Sequence, residues 1–381
     1  MAVPHSPFGD SFGGQQRTAL LLRALQRHGD VNVVMVREAD RDGVVAAPEE
    51  GVHAALEWCP RAGGVNRFVP AHALVAPVQL ALGRSLADYD LAVGHHLYPL
   101  CKLPCPPQVP TLVNLDDISP LLWSGRFDAR AMVNLARQVV GRTLANRQLD
   151  RFDHYLFVSQ RDRDRQPDLR GDILPNAPRA VAAMPDFERP SLQILFVGAL
   201  WYRPNADAMD WFTSAVWPTV RRAVPEARLL IVGAASPEVR QRWNRIDGVQ
   251  APGFVDDLSE AYRDSAFAIS PTRLGGGSNI KVPEALAHGR TCVLTPFSLA
   301  GFRGLFESGR EVLMAADAEG FARACIELLG NLERRAALAR AGHATVTREL
   351  APARSAAIID AAIAATLSRR AVPTLASQAR T

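Results

Sequence analysis

The chain has 381 residues, of which 48% are hydrophobic and 22% are charged, and its formal net charge is +4. At about 150 residues per domain this predicts two or three domains, and the composition excludes a disordered, collagen-like or coiled-coil chain. The small excess of positive charge predicts no nucleic-acid partner. The cysteines number 5 and form no CxxC pair, which argues against a disulfide framework. The start of the chain has no leader pattern, so we expect a cytoplasmic protein.

Apolar, β-rich runs alternate with segments of helical period in the first half of the chain. This alternation predicts successive β-α units and a parallel sheet. The predicted strands are residues 31–36, 91–96, 111–115, 154–159 and 172–176. Helices are expected over 18–27 and 126–152.

A linker is predicted over residues 177–190, where prolines and small residues interrupt regular structure. The β/α alternation then restarts. Strands are predicted at 192–198, 228–233, near Val249, and at 266–271, with helices near 205–223, 237–245 and 258–263. We therefore expect domains over 1–180 and 181–350, a helix over 351–370 that packs back across the linker, and a flexible tail over 371–381.

The segment PTRLGGGSNIKVPEALAHGRTCVLTP, residues 271–296, carries the strongest functional signal. Gly275, Gly276 and Gly277 follow a predicted strand and precede a predicted helix, so backbone N–H groups can approach an anion closely. Arg273 and Lys281 bring two cations to the same helix entrance. This order of residues predicts a phosphate site.

Glu284 lies three residues after Lys281 and shares its helix face. A carboxylate at that position can accept hydrogen bonds from ribose hydroxyls, as acidic residues do in dinucleotide folds. The alternative is a plain glycine loop followed by an ion pair between Lys281 and Glu284. Gly289 is predicted to end this helix before a further strand at residues 291–295.

The run from about 192 to 350 resembles the C-terminal domain of retaining GT-B glycosyltransferases of family 4. The motifs are FVGALWYRPNADAMDWF, ARLLIVG, GFVDDL and PTRLGGGSNIKVPEALAHG, in the order expected for that family. The resemblance implies a GT-B fold, with two Rossmann-like domains facing across a cleft. It also implies a metal-independent, hexosyltransferase-type enzyme with no cofactor besides a nucleotide diphosphate sugar as co-substrate.

By the same resemblance, Glu284 would bind the donor ribose, and Arg273 and Lys281 would hold its diphosphate and act in catalysis. Phe254 and Val255 would flank the base. The remaining donor-binding residues would be those of the glycine loop: Gly275, Gly276, Gly277, Ser278 and Asn279.

Two features depart from the family pattern. The family often carries a second acidic residue eight positions before the one at Glu284, but Gly276 stands there. The basic pair that often follows the first strand of this domain is replaced by Arg203 and then Asn205. Contacts to the donor sugar would therefore come largely from the backbone of the glycine loop.

In the first domain, SFGGQQRTALLLRAL resembles the glycine-rich turn that leads into the family's first helix. Gly13 and Gly14 would face the donor phosphates or the acceptor; the alternative is a simple helix cap. The family has a full strand before this turn, and since few residues precede it here, that strand is expected to be missing or lost. His95 and His96 end a predicted strand, where a family histidine touches the donor sugar, so the resemblance implies that they act in catalysis.

A metal site is not expected. Cys101 and Cys105 near the two histidines lack a recognised ligand spacing. Asp116 and Asp117 resemble an acidic metal pair, but we interpret them as loop or acceptor-side residues.

The predicted helix at 126–152 has an arginine stripe interrupted by Val133, Val140 and Leu144. The stripe is formed by Arg126, Arg130, Arg137, Arg147 and Arg151. It fits either a peripheral contact with the anionic inner face of a membrane or a solvated helix face.

The predicted reaction moves a sugar from a nucleotide diphosphate sugar to an acceptor hydroxyl with retention, in bacterial surface polysaccharide, glycolipid or related glycoconjugate synthesis. The acceptor could be a glycan, a lipid-linked molecule or a small molecule. Two alternatives keep the fold: a nucleotide-sugar epimerase, and a non-catalytic sugar-nucleotide-binding partner of another transferase.

Overall fold

The structure is a computed structural model that divides into two compact units. It describes residues 1–8, 13–39, 43–46, 50–59, 65–70, 74–103, 105–116, 129–179, 181–182, 185–275 and 279–368. Unit 1 comprises residues 1–158 and 162–174 and the chain from 356 onward; unit 2 comprises residues 159–161 and 175–355.

The described strands of unit 1 form one sheet in the order β3-β4-β2-β1-β5-β6-β7-β8. All pairs are parallel except that of β3 with β4. The strands are β1 (Ala2–Val3), β2 (Val34–Glu38), β3 (Gly43–Ala46), β4 (Ala54–Trp58), β5 (Ala92–His95), β6 (Thr111–Leu115), β7 (His154–Phe157) and β8 (Gly171–Ile173). The five strands predicted for this half are confirmed, whereas β1, β3 and β4 were not predicted.

The first strand is present, contrary to the expectation from the sequence. Ala2 and Val3 form β1, which pairs in parallel with β2 on one side and with β5 on the other. Two residues suffice because both neighbouring strands supply backbone hydrogen bonds and because the two side chains are buried. β1 therefore occupies the central position of the sheet.

Helices cover this sheet and complete the core of unit 1. They are α1 (Gly13–Leu25), α2 (Val75–Leu82), α3 (Leu97–Lys102), α4 (Ala129–Leu149) and α5 (Gln160–Asp164), which lies where the chain first passes between the units. The last helix, α14 (Pro352–Ser368), contributes buried Ile359 and Ile363 to a core cluster of unit 1 that contains Leu21 of α1. The chain therefore returns to unit 1 within α14.

Unit 2 has a fully parallel sheet in the order β11-β10-β9-β12-β13-β14. This is the strand order of the doubly wound nucleotide-binding folds. Strands are added towards one edge from β9 to β11 and towards the other edge from β12 to β14, so the strand order reverses between β9 and β12. The strands are β9 (Gln193–Val197), β10 (Arg228–Val232), β11 (Val249–Gly253), β12 (Phe267–Ser270), β13 (Cys292–Leu294) and β14 (Leu313–Met314). Only β14 was not predicted.

The helices of unit 2 follow the predicted alternation. They are α6 (Arg203–Trp211), α7 (Trp217–Ala223), α8 (Pro237–Asn244), α9 (Ser259–Arg263), α10 (Lys281–Ala287), α11 (Pro296–Ala300), α12 (Ala318–Gly330) and α13 (Leu332–Glu349). A π-helical stretch, Phe212–Val216, joins α6 to α7, so the helix predicted over 205–223 is continuous. Buried aromatic residues, among them Phe212, Trp217 and Phe321, pack this core.

The structure divides the chain at different points from those predicted. Unit 1 includes Leu174, whose side chain is fully buried in that unit's core, and unit 2 begins again at Pro175 rather than at residue 181. The predicted tail, 371–381, lies outside the described residues.

One segment, Leu332–Ser368, passes a test of length and hydropathy for a membrane span. It consists of two helices, α13 and α14, separated at Leu350 and Ala351. Val346 of α13 and Ile359 of α14 are fully buried in the cores of the units. Both helices thus serve as core helices.

Candidate functional site

Polar side chains cluster at the carboxyl ends of three adjacent strands of unit 1. His5 follows β1, His95 and His96 end β5, and Asp116 follows β6. The ring centroids of His95 and His96 lie 4.4 Å apart, and those of His5 and His95 lie 5.5 Å apart. The carboxyl ends of parallel strands are where ligands bind in open α/β sheets. The two histidines predicted from the sequence therefore lie in a plausible binding region.

A buried arginine from α1 organises this cluster. Arg17 is only 3% exposed, and its Nε and Nη2 both donate to Oδ1 of Asn114, at 2.9 and 2.7 Å. Its Nε also lies 3.7 Å from Oδ1 of Asp116. The sequence analysis did not identify Arg17 or Asn114.

Asn114 fixes the proton position on His95. Because Oδ1 of Asn114 accepts from Arg17, its Nδ2 is the donor to Nδ1 of His95, at 2.8 Å. The neutral ring must then carry its hydrogen on Nε2. This Nε2 is buried and has no hydrogen-bond partner among the described residues. His95 thus presents a buried N–H donor suited to an oxygen of a ligand.

Burial keeps the three imidazoles neutral at pH 7. It lowers the pKa of His95 well below its usual value, and the pKa values of His5 and His96 are lowered for the same reason. The charge of Asp116 opposes the shifts of His5 and His96. Arg17 therefore supplies a buried positive charge beside the side chain of Asp116.

The backbone at His96 adopts a conformation that normally requires glycine. Its φ is 61° and its ψ is 160°, and its N–H donates to the carbonyl of Asn114 at 2.9 Å. Such strain costs about 1–3 kcal/mol and occurs mainly at functional sites.

We expect His96→Gly to be more stable than His96→Ala by about 1–2 kcal/mol, because glycine relieves the strain that alanine retains. Urea unfolding of the two variants measures this difference. His28 serves as the control because its φ is not positive. There we expect the glycine variant to be no more stable than the alanine variant. Equal stability of the two His96 variants would contradict the backbone conformation.

Gly13 and Gly14 form the first turn of α1. The carbonyl of Gly14 accepts a hydrogen bond from Oγ1 of Thr18 at 2.8 Å, and the backbone of Gly14 also forms a hydrogen bond with the imidazole of His5. The turn is therefore part of the same cluster.

One group in the described part of the chain has spacing suited to a metal ion. Ligand atoms of His95, His96 and Asp116 lie within 4.8 Å of one another. Cys101 and Cys105 are not in this group, and burial raises the pKa of their thiols to about 12 and about 11. Asp117 lies outside the described residues.

In unit 2, Lys281 begins α10 with a buried ammonium group, 8% exposed. Its Nζ lies 3.2 Å from Oδ1 of Asn205 and 3.4 Å from Oδ1 of Asn279, and 5.3 Å from the ring centroid of Phe196. Burial lowers the pKa of Lys281 to about 8, although the negative charge of Glu284 opposes the shift. The ion pair with Glu284 that the alternative interpretation required is replaced by contacts with neutral oxygens.

Asn205 in α6 is held in place by the end of β9. Its Nδ2 donates to the carbonyl of Ala199 at 2.9 Å. A Cβ at Gly198 would come within 2.8 Å of that Nδ2, so only glycine leaves room for the contact. Asn205 therefore presents its Oδ1 to Lys281.

Arg273, the second predicted diphosphate ligand, is held by α6. Its Nη2 is 3.0 Å from Oδ2 of Asp207, and its guanidinium lies 5.0 Å from the ring centroid of Trp211. The side chain is 44% exposed. The structure therefore places Arg273 in a partly exposed ion pair with Asp207.

The glycine loop is described only at its ends. Gly275 has φ +121°, and a Cβ there would lie 3.3 Å from Pro204, so glycine allows the loop to pack on the start of α6. Gly276, Gly277 and Ser278 lie outside the described residues. Asn279 resumes the chain, and its Nδ2 is 3.4 Å from Oγ of Ser298.

Helix α10 ends as predicted, at Gly289. Gly289 has φ +70°, and its N–H and that of Arg290 donate to the carbonyls of Leu286 and Ala285. This glycine-dependent C-cap fixes the helix that carries Lys281 and Glu284. Glu284 is half-buried in its first turn.

Phe254 and Val255 follow β11, at the carboxyl edge of the same sheet. Phe254 is 59% exposed, whereas Val255 packs against the core. An exposed aromatic ring at this edge can stack on a nucleotide base.

Comparisons with known proteins agree with this architecture. Residues 191–331 match the sequence model of the family described as Glycosyl transferases group 1. An uncharacterized 44.6 kDa protein in the cps region of Klebsiella pneumoniae is 25% identical over 192 residues, which make up 48% of each chain. The match thus spans about half the length of this curated relative.

Solved structures resemble nearly the whole chain. Sucrose-phosphate synthase from Thermosynechococcus elongatus has a TM-score of 0.71 at 15% identity, covering 97% of this chain and 98% of that one. HepE from Anabaena in complex with UDP has a TM-score of 0.63 at 15% identity, covering 96% and 98%. An E. coli trehalose-6-phosphate protein bound with UDP-2-fluoro glucose has a TM-score of 0.61 at 13% identity, with the same coverage. The chain has the GT-B fold of these glycosyltransferases, and the segment with the Glycosyl transferases group 1 pattern contains Lys281 and Glu284.

Proposed function

We propose that the protein is a retaining, hexosyltransferase-type glycosyltransferase of family 4, which moves a sugar from a nucleotide diphosphate sugar to an acceptor hydroxyl. The single observation that carries the proposal is the ammonium of Lys281. It is buried at the carboxyl edge of a doubly wound sheet, beside a glycine loop, and its contacts in the described chain are neutral oxygens. A buried cation with this surrounding is stabilised when an anion such as a diphosphate binds.

The comparisons support this proposal at a coarser level. The family match, residues 191–331, includes the proposed donor-binding residues of unit 2, and two of the similar structures hold UDP or a UDP sugar. For this chain, the nucleotide diphosphate sugar as donor is our inference.

The proposed roles follow the chemistry of a leaving diphosphate. The transition state resembles an oxocarbenium ion, so catalysis depends on stabilising the departing phosphate. Lys281 and the backbone N–H groups of the glycine loop supply this stabilisation. Glu284 accepts hydrogen bonds from the ribose, Phe254 and Val255 flank the base, and Asn279 positions Lys281.

Arg273 has a conditional role in this scheme. Its guanidinium must leave Asp207 to reach a diphosphate, and exposed ion pairs of this kind contribute only about 0–1 kcal/mol. Release on donor binding therefore costs little. Arg273 would add its charge after the donor has bound.

Unit 1 is proposed to supply the acceptor side. Here Gly13, Gly14, His95 and His96 contact the transferred sugar, the donor phosphates or the acceptor. The relative in a cps region supports an acceptor in surface polysaccharide synthesis. Glycolipid and small-molecule acceptors belong to the same proposal.

The proposal is tested by thermal unfolding with a panel of nucleotide diphosphates and their sugars, since a ligand specific for the native state raises its stability. We expect one nucleotide to raise the melting temperature and Glu284→Ala and Lys281→Ala to abolish the shift. If no nucleotide changes the melting temperature, the proposed donor site is contradicted.

We expect transfer to persist in the presence of a chelator. A divalent ion at His95, His96 and Asp116 would be repelled by Arg17, whose Nε lies 3.7 Å from Oδ1 of Asp116. In addition, Nδ1 of His95 already accepts a hydrogen bond from Asn114. Turnover with and without EDTA measures this, and restoration by added Zn²⁺ or Mg²⁺ after its loss would contradict metal independence.

Assays of the same purified protein distinguish the two alternative functions, a nucleotide-sugar epimerase and a non-catalytic nucleotide-binding partner, from a glycosyltransferase. An epimerase would interconvert the donor sugar without an acceptor, and the imidazoles and carboxylate of unit 1 are groups that such chemistry uses. A non-catalytic partner would bind the nucleotide without turnover. Retention itself is read from the anomeric configuration of the product by NMR.

A further inference from the structure

The exposed face of α4 is a second surface with a distinct chemistry. The helix carries four arginines and no acidic residue over Ala129–Leu149. The next acidic residue in the chain, Asp150, lies beyond its end. A 21-residue helix is about 30 Å long, so this is an extended, purely cationic element.

One side of α4 packs on unit 1. Leu149 is buried in the core, Ala145 packs against the same cluster, and Gly141 lies next to Phe68, whose ring is 3.9 Å from where a Cβ would stand. Residues 141, 145 and 149 follow at intervals of four, which places them in one row along the helix. This row defines the inner side.

The opposite side carries large apolar side chains that are exposed. Met132, Val133, Val139 and Val140 are 50%, 50%, 45% and 47% exposed. At about 100° per residue, positions 132, 136 and 140 form a row facing away from the inner one. Val133 and Val139 border it on the two sides. An apolar stripe therefore points into solvent over residues 132–140 of the helix.

Arginines border this stripe. Arg137 lies on one side of it, Arg142 on the other, and Arg147 at its C-terminal end, and all three are exposed. In the described part of the chain none of them makes an ion pair. One member of the arginine stripe predicted from the sequence is corrected, because Arg151 lies beyond the end of α4. Arg126 lies outside the described residues. Val133 and Val140, which interrupted the arginine pattern, belong to the apolar stripe.

We propose that α4 docks the protein on an anionic lipid surface, with the apolar stripe in the headgroup region and the arginines on lipid phosphates. The pattern of a large apolar face edged by arginine is that of helices lying in the plane of a membrane interface. A second copy of the chain would bring two cationic faces together with no acidic residue on either helix. A nucleic acid would use the arginines but give the valines and methionine no apolar partner.

The test is co-sedimentation of the full-length protein with vesicles. We expect binding to vesicles of phosphatidylcholine with phosphatidylglycerol, weak binding to phosphatidylcholine alone, and release by high salt. The triple variant R137Q/R142Q/R147Q should bind about a hundredfold more weakly, at about fivefold for each arginine. V133S/V140S should also bind more weakly, but without changing the salt dependence.

The matched control removes the same charge from unit 2. Arg222, Arg228 and Arg245 are exposed, and R222Q/R228Q/R245Q should retain vesicle binding within about twofold. Two results would overturn the proposal: no binding of the wild type to the anionic vesicles, or an equal loss in both triple variants. A change in sedimentation coefficient of V133S/V140S without lipid would also overturn it, because α4 would then be an interface between copies.

Discussion

We expect a nucleotide diphosphate sugar to bind about tenfold more weakly at pH 9 than at pH 7. Burial holds the pKa of Lys281 at about 8 in the free protein, and a bound diphosphate raises it, so binding requires proton uptake above that pH. The diphosphate of a nucleotide sugar does not titrate in this range. Titration calorimetry in buffers of different ionisation enthalpy measures both the affinity and the protons taken up.

The same shift determines how Lys281 affects stability. Its pKa is lower in the folded protein than the unfolded value of 10.5. Between about 8 and 10.5 the unfolded chain binds more protons, so this group's contribution to the free energy of unfolding rises with pH across that window. Below it, the buried ammonium destabilises the ligand-free protein. We therefore expect Lys281→Met to be more stable at pH 7, by about 1–3 kcal/mol, while binding the donor at least tenfold more weakly.

Lys102 provides the control, since it is another buried lysine, 5% exposed, in the other unit. Its Nζ donates to the carbonyl of Val69 at 2.8 Å. Lys102→Met should leave the pH dependence of nucleotide binding unchanged. Donor affinity that is independent of pH in the wild type and unaltered in Lys281→Met would exclude Lys281 as the diphosphate ligand.

We expect Arg17→Met to destabilise unit 1 by about 2–4 kcal/mol and to abolish transfer. The substitution leaves Oδ1 of Asn114 buried without its two donors from Arg17 and removes a cation that lies 3.7 Å from Asp116, and both changes carry a desolvation cost. Without Arg17, the Asn114 amide is free to turn and no longer fixes the tautomer of His95. Urea unfolding and product formation measure the two effects.

Arg17→Lys and Arg27→Met serve as controls. Lysine keeps the positive charge but cannot reproduce the two hydrogen bonds from the guanidinium to Oδ1 of Asn114. We therefore expect Arg17→Lys to lose less stability and less transfer activity than Arg17→Met. Arg27 forms an exposed ion pair with Asp360 at 2.8 Å, and its removal should cost at most about 1 kcal/mol. Wild-type transfer by Arg17→Met would show that the cluster in unit 1 is structural only.

Much of the fold follows from local patterns. Strands β9 and β10 contain continuous apolar runs, because both faces of a parallel sheet are covered, and their bounds match the prediction closely. The glycine that ends α10 was also predictable, since a positive φ leaves few other choices. In contrast, β1 has two residues and no periodicity, and it exists because strands on both sides pair with it.

The chemical sites depend on distant residues. Arg17 and Asn114 are 97 positions apart, and Asn205 and Lys281 are 76 apart. No local pattern relates them, so the sequence identified Lys281 but not its contact with Asn205. The sequence likewise placed Arg273 at the helix entrance, whereas tertiary packing gives it Asp207 and Trp211 as neighbours.

The sequence by itself determined the α/β alternation, the glycine loop and the charged residues at the start of α10, because backbone conformation and strand burial are set by residues close in the chain. Only the tertiary structure decided which cations are buried and which are paired. Those outcomes depend on side chains from elements that are distant in the chain, such as Lys281 of α10 and Asn205 of α6. Burial among such neighbours removes water from a charged group and so changes its chemistry.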